Sequence, residues 1–131
     1  MGELLFRGFH PCDGPDTIVV DGYKVKGEWI YGSHILIDGA HYIMPSRWHL
    51  HDITEVLTST VGQWTGKIDK HEKKVFSGDK VYYSHENRIY SVEWNDSLLR
   101  WEGLVGWIAV PLYQFVDSCE VIGTVFDEVT P

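Results

Sequence analysis

The chain has 131 residues, a formal net charge of −8 and 44 % apolar residues, which suits one ordinary hydrophobic core and excludes a disordered chain. The acidic balance opposes non-specific coating of nucleic acid or of anionic membranes, and no apolar run approaches the length of a membrane span. Aromatic residues make up 14 % of the chain, an excess that favours strands, where flat rings fit a pleated, half-buried surface.

In chain order, the N-terminal MGELLFRGFHPC has no apolar segment long enough for a signal peptide, and Phe6 stands where a myristoylation site requires Ser or Thr. The expected location is the bacterial cytoplasm, with Cys12 and Cys119 reduced; whether the two lie near each other is left open by the sequence. Asp21-Gly22 and Asp38-Gly39 each separate two β-rich runs and predict type I′ hairpins. KGEWIYG, from Lys26 to Gly32, reads as the end of one strand and the start of the next, which gives four meander strands before residue 45. From Pro45 to Thr60 a short helical turn with Ser46 as N-cap, followed by a strand, fits best.

The second half reads as β again. Asp79 to Ser84 and Arg88 to Trp94 are two strands joined by His85, Glu86 and Asn87, with Tyr90, Val92 and Trp94 on one face. Asn95-Asp96-Ser97 is a turn, and LLRWE is the next strand. CEVIGTVFD is apolar on both faces and reads as a central strand, with a bulge or close backbone approach at Gly123.

Between the two halves lies VGQWTGKIDKHEKKVFSGDKV, from Val61 to Val81. Its glycines lack phosphate-loop spacing, because Gly66-Lys67 is followed by Ile68 and by no helix. It fits a turn at Asp69 to Glu72, an extended Lys74 to Phe76, a second turn at Gly78-Asp79 and a strand from Lys80. This stretch resembles the central signature of the YopX family of phage and prophage proteins. Thr60, Val61, Gly62, Gln63, Thr65, Gly66, Ile68, Asp69, Val75, Phe76, Gly78, Asp79 and Val81 match, Trp64 replaces a Phe or Tyr, and Glu72 replaces a Gly. FRGF at Phe6 to Phe9, GEWIYG and EVIGTVFDE at Glu120 to Glu128 resemble the family's flanking motifs. The resemblance implies a compact protein encoded by phages and prophages of Gram-positive bacteria that self-associates into symmetric oligomers. It carries over no catalytic residues; Thr60, Gly62, Gln63, Thr65, Gly66, Asp69, Gly78, Asp79 and Gly123 are signature positions with a structural role.

Groupings that bear on chemistry are weak. His49 and His51 share one face of a strand, and Asp52 or His41 would complete a metal site, but exposed loop histidines explain the pattern more simply. Serines 46, 59, 77 and 84 lack a nucleophile-elbow context, and Cys119 falls in an apolar strand. Lys67, Lys70, Lys73 and Lys74 are interrupted by acids and read as a solvated turn. Trp64, Tyr82, Tyr83, Trp94, Trp101 and Trp107 would form a base-stacking platform, or fill a core or interface.

The reading is therefore a mainly β protein, with α+β as the alternative fold class. It has antiparallel hairpins, one or two short helical turns and a small barrel-like or strongly curved sheet in the C-terminal half. Residues 1–131 form a single domain, divisible into a hairpin region, 1–58, and a barrel-like region, 59–131. The expected function is that of a non-enzymatic, self-associating phage accessory protein with a protein partner of phage or host, and with no cofactor. Its rivals are a metal-assisted hydrolase using His41, His49 and His51, and a nucleic-acid binder using the aromatic platform.

Overall fold

The computed structural model describes residues 5–45 and 53–127. Within them the chain is mainly β, with antiparallel sheets and isolated 3-10 turns at Thr58–Thr60, Leu112–Gln114 and Val116–Ser118. It divides into two compact units, one running to Gln63 and taking up the chain again from Phe126, the other Trp64–Val125.

The first unit is built on a long ribbon. Strand β1 (Phe6–Val20) pairs antiparallel with β2 (Tyr23–Ile37), which pairs with β3 (Ala40–Met44), which pairs with β4 (Thr54–Val56). Both Asp-Gly turns take the predicted form: φ is 51° and 83° at Asp21 and Gly22, and 50° and 82° at Asp38 and Gly39. KGEWIYG does not break the ribbon, so three strands rather than four precede residue 45. The irregularity lies in the partner strand, where the register shifts between Pro11 and Asp16 and both face Gly27. A Cβ at Gly27 would sit 2.1 Å from the His10 carbonyl oxygen, so the missing side chain lets the two backbones close at this bulge. The strand after the undescribed segment is shorter than expected: only Thr54–Val56 is extended before the turn at Thr58–Thr60. The expected helical turn with Ser46 lies outside the described residues.

The other edge of β1 is covered piece by piece. Phe6 and Arg7 pair with Gln63 and Gly62, at the start of β5 (Gly62–Ile68). Phe9 receives the Leu57 N–H at 2.9 Å, and its own N–H reaches Thr60 Oγ1 at 2.9 Å. Val19 N–H donates to the Phe126 carbonyl at 2.7 Å. Phe9, Ile18, Ile43 and Val56 are buried, and the buried Arg7 guanidinium lies 4.8 Å from the centre of the Trp29 ring.

In the second unit the remainder of β5 pairs with β6 (Lys74–Phe76). A five-stranded antiparallel sheet follows, in the order β10-β9-β8-β7-β11. Its strands are β7 (Asp79–Tyr83), β8 (Arg88–Asn95), β9 (Arg100–Val105), β10 (Ile108–Pro111) and β11 (Cys119–Thr124). Val81, Tyr90, Val92 and Cys119 face a core closed by Leu112, Phe115 and Val116 from the 3-10 turns. The sheet is open, with β10 and β11 at its edges, and does not close into a barrel.

Three readings of the sequence change here. Leu98 and Leu99 belong to the turn and not to the strand, which starts at Arg100. Asn95 causes this, because its Oδ1 accepts the N–H groups of Ser97 and Leu98, both at 3.0 Å, and holds the chain in a turn. The β9–β10 hairpin, turning at Gly106-Trp107, was not foreseen, although Gly106 between two apolar runs signals it. Strand β11 is an edge strand and not a central one, although the expected bulge is present between Val121 and Gly123.

Candidate functional site

From Asp69 on, the signature stretch folds as the sequence reading expects, into a turn, β6, a second turn and β7; the strand β5 before it, Gly62–Ile68, is an element that reading does not place. Four of the polar signature residues, Thr60, Thr65, Asp69 and Asp79, are buried and hold backbone. Thr60 Oγ1 donates to the Leu57 carbonyl at 2.6 Å while accepting the Phe9 N–H. Thr65 Oγ1 donates to the Val75 carbonyl at 2.8 Å, which ties β5 to β6. Asp79 Oδ2 accepts the Phe76 N–H at 2.7 Å across the second turn.

Asp69 is the centre of the arrangement. It is 4 % exposed, and its Oδ1 accepts the N–H groups of His71 at 2.8 Å and Lys73 at 2.9 Å. Its Oδ2 accepts the Val121 N–H at 2.9 Å, and the neighbouring Lys70 N–H donates to the Cys119 carbonyl at 2.9 Å. The turn therefore caps the open side of β11, which explains why an apolar strand can stand at a sheet edge. Burial pushes the Asp69 carboxyl up. The Val121, Lys73 and His71 amides, together with the nearby His71 ring, outweigh this and hold it below the usual range.

Of the signature glycines, Gly66 and Gly78 have positive φ, 83° and 88°. Gly62 and Gln63 pair with β1, and Gly123 pairs with Lys80 beyond the bulge.

The nucleophile and ligand candidates have other surroundings. Cys119 is buried, its Sγ donates to the Phe115 carbonyl at 3.4 Å, and its thiol is pushed up to about 12 by burial and by the Asp69 charge. It is therefore a protonated core residue. Cys12 is exposed, and both thiols are free.

His41 meets His34, with Nδ1 and Nε2 2.8 Å apart. The ring centres are 5.0 Å apart and the planes differ by 10°. The extra separation of the centres equals about two ring radii, so the rings meet edge to edge in one plane. That is the geometry of a linear N–H···N bond, which leaves no space for a metal between the two nitrogens. Burial and the His41 charge lower the pKa of His34, so the pair resists full protonation. His49, His51 and Asp52 lie outside the described residues, and among the described residues no three His, Cys, Asp or Glu side chains form a metal-holding group.

A cleft of about 290 Å³ is lined by His10, Pro11, Glu55, Val56 and Leu57. There the His10 Nδ1–H donates to the Glu55 carbonyl at 2.7 Å.

The aromatic residues do not form one platform. Trp64 carries Lys74 Nζ 5.2 Å from its ring centre, and its Nε1 donates to the Lys67 carbonyl at 2.9 Å. Tyr82 and Tyr83 point to opposite faces of β7, with Tyr83 against the core. Trp94 and Trp101 meet edge to face, 5.1 Å apart, beside the β8–β9 turn. Trp107, 95 % exposed, occupies the β9–β10 turn at the other end of β9. Leu98 and Leu99, which the sequence reading places in a strand, are exposed on the β8–β9 turn, and the Asn95 side chain is the sequence clue to that turn.

No helix among the described residues is long and apolar enough to cross a membrane. The sequence model of the family described as YopX protein matches residues 12–130. No curated protein matches the chain.

Proposed function

The chain belongs to the YopX family, a membership that suggests a phage-type protein, and from that premise we propose that it acts by binding and self-association. On this reading it is an accessory protein of the host cytoplasm that recognises a protein of phage or host. One observation carries the proposal: the use to which the polar signature residues are put. Thr60, Thr65, Asp69 and Asp79 each hold backbone groups of the fold. A stretch that defines the family thus maintains architecture, while large apolar side chains such as Trp107, Leu99 and Tyr113 are placed in solvent. Exposed apolar groups on a well-ordered scaffold are the means of association.

Light scattering coupled to size exclusion tests the reading. A mass at a multiple of 15.1 kDa at micromolar concentration is expected. A mass that stays at 15.1 kDa across all accessible concentrations sinks the self-association.

A further inference from the structure

The β5–β6 turn concentrates positive charge on an acidic chain. Lys67, Lys70, Lys73 and Lys74 are four of the eleven Lys and Arg residues of a protein whose net charge is −8, and all four are exposed. Two acids interrupt this run in the sequence, but the fold takes one of them out of the surface. Asp69 is buried, and its oxygens are occupied by the His71, Lys73 and Val121 amides. Glu72 is the interrupting acid that remains exposed. On β11 the Glu120 carboxylate faces the His71 ring, 3.7 Å from Nε2. Among the described residues, no ion pair engages any of the four lysines.

The backbone beneath these charges is fixed. Asp69 N–H donates to the Lys73 carbonyl and Lys70 N–H to the Cys119 carbonyl, both at 2.9 Å. Trp64 joins the two strands, with Lys74 Nζ over its ring and its Nε1 on the Lys67 carbonyl. The buried signature carboxylate thus sets out a group of uncompensated ammonium groups on an ordered turn, which lowers the entropy lost when a ligand binds.

We propose that this turn is a docking surface for an acidic segment of a protein partner, the lysines receiving its Asp and Glu carboxylates. The inference rests on the protein recognition proposed above and names its surface and the chemistry of the partner. Three observations favour a carboxylate-bearing peptide over nucleic acid. The run from Lys67 to Lys74 contains no arginine, the residue whose planar fork reads phosphate bidentately. The face of Trp64 that carries Lys74 is closed to a stacked base. The basic run is also short. In about 0.1 M salt the Debye length is about 10 Å, so a peptide covering the turn responds to the lysines, whereas a longer polyanion also feels the acidic remainder of the chain.

Fluorescence anisotropy tests this on the whole chain, with a labelled oligoglutamate of about ten residues and, for comparison, a single-stranded DNA of about the same charge, in about 0.1 M salt. One variant combines Lys67→Gln, Lys70→Gln and Lys73→Gln, and leaves Lys74 against Trp64. A control combines Lys24→Gln, Lys26→Gln and Lys80→Gln, which changes the net charge equally elsewhere. The native chain is expected to bind oligoglutamate and to release it toward 1 M salt, where the Debye length is about 3 Å. The first variant is expected to bind about tenfold or more weakly, since each exposed ion pair contributes up to about fivefold, and the control to change by less than about twofold. Arginine at positions 67, 70 and 73 is expected to preserve binding, and equal melting temperatures of the variants and the native chain show that each is folded. If oligoglutamate does not bind, if binding persists in 1 M salt, or if the two variants lose it equally, the inference falls, and the mass measurement of self-association is untouched. Tighter binding of the DNA, lost in the first variant, makes the turn a nucleic-acid contact and overturns both the inference and the protein recognition on which it rests.

Discussion

Glu72 adopts a φ of 64° at the position where the family pattern has glycine. The turn thus holds a backbone conformation that suits glycine while carrying a side chain that resists it. Its N–H still donates to the Asp69 carbonyl at 3.0 Å. Glu72→Gly is expected to stabilise the protein by about 0.5–1 kcal/mol, since relief of strain exceeds the added freedom of the unfolded chain. Denaturant titration measures it, and a lower midpoint contradicts the account.

Asp69 behaves in the opposite way. Asp69→Asn replaces one acceptor oxygen by a donor, so a backbone N–H of His71 and Lys73 or of Val121 then faces an NH2 group. The expected loss is about 1.5–3 kcal/mol at neutral pH. Because the folded carboxyl lies below its ordinary value of 3.8, its contribution is complete above that value and is lost as pH falls through the lower folded one. The native protein and Asp69→Asn should therefore converge in stability in strong acid. A difference that stays constant with pH shows that the charge is not what matters.

At the scale of elements, Gly78 joins β6 to β7. Its N–H donates to Val92 and its carbonyl accepts from Val125, both at 2.8 Å, at a φ of 88°. Gly78→Val is expected to cost about 1–3 kcal/mol, because the β-branched residue cannot take that φ without pulling both bonds out of line. An unchanged melting temperature counts against it.

The β2–β3 pair carries a different lever in the edge-to-edge His34 and His41. His34 is harder to protonate in the fold than its ordinary 6.5, so its contribution is present above that pH and is lost as pH falls through the lower folded value. The melting temperature should fall as the solution is acidified below 6.5, and His34→Gln should flatten that part of the profile. Equal slopes in the two proteins refute the role of the pair.

For the whole molecule the net charge of −8 decides how association responds to salt. Two copies repel at long range, while the proposed contact is mainly apolar at short range. The Debye length shortens from roughly 30 Å at 0.01 M to about 10 Å at 0.1 M, so added salt screens the repulsion first. Association of the native chain is expected to tighten with moderate salt. Weakening over the same range, measured by sedimentation, points instead to an interface held by opposite charges.

The sequence by itself determined the local features, because these depend on near neighbours. Asp-Gly sets its turn through its own φ preferences, the alternation in RIYSVEW places Tyr90 and Val92 on the buried face, and the family signature encodes a strand–turn–strand corner. The β class and the family were legible for the same reason. Tertiary structure decided whatever depended on distant partners. The apolar CEVIGTVFD cannot reveal that its outer edge is capped by Asp69, about fifty residues earlier in the chain. KGEWIYG cannot reveal that its first glycine faces a bulge in another strand. The run LLRWE reads as a strand until Asn95 captures the amides of Ser97, just before it, and of Leu98, its first residue. Nor does the order of the histidines show that His41 is engaged by His34, since strand register brings those rings together. A residue type fixes what a side chain can do; only the fold supplies the partner that decides what it does.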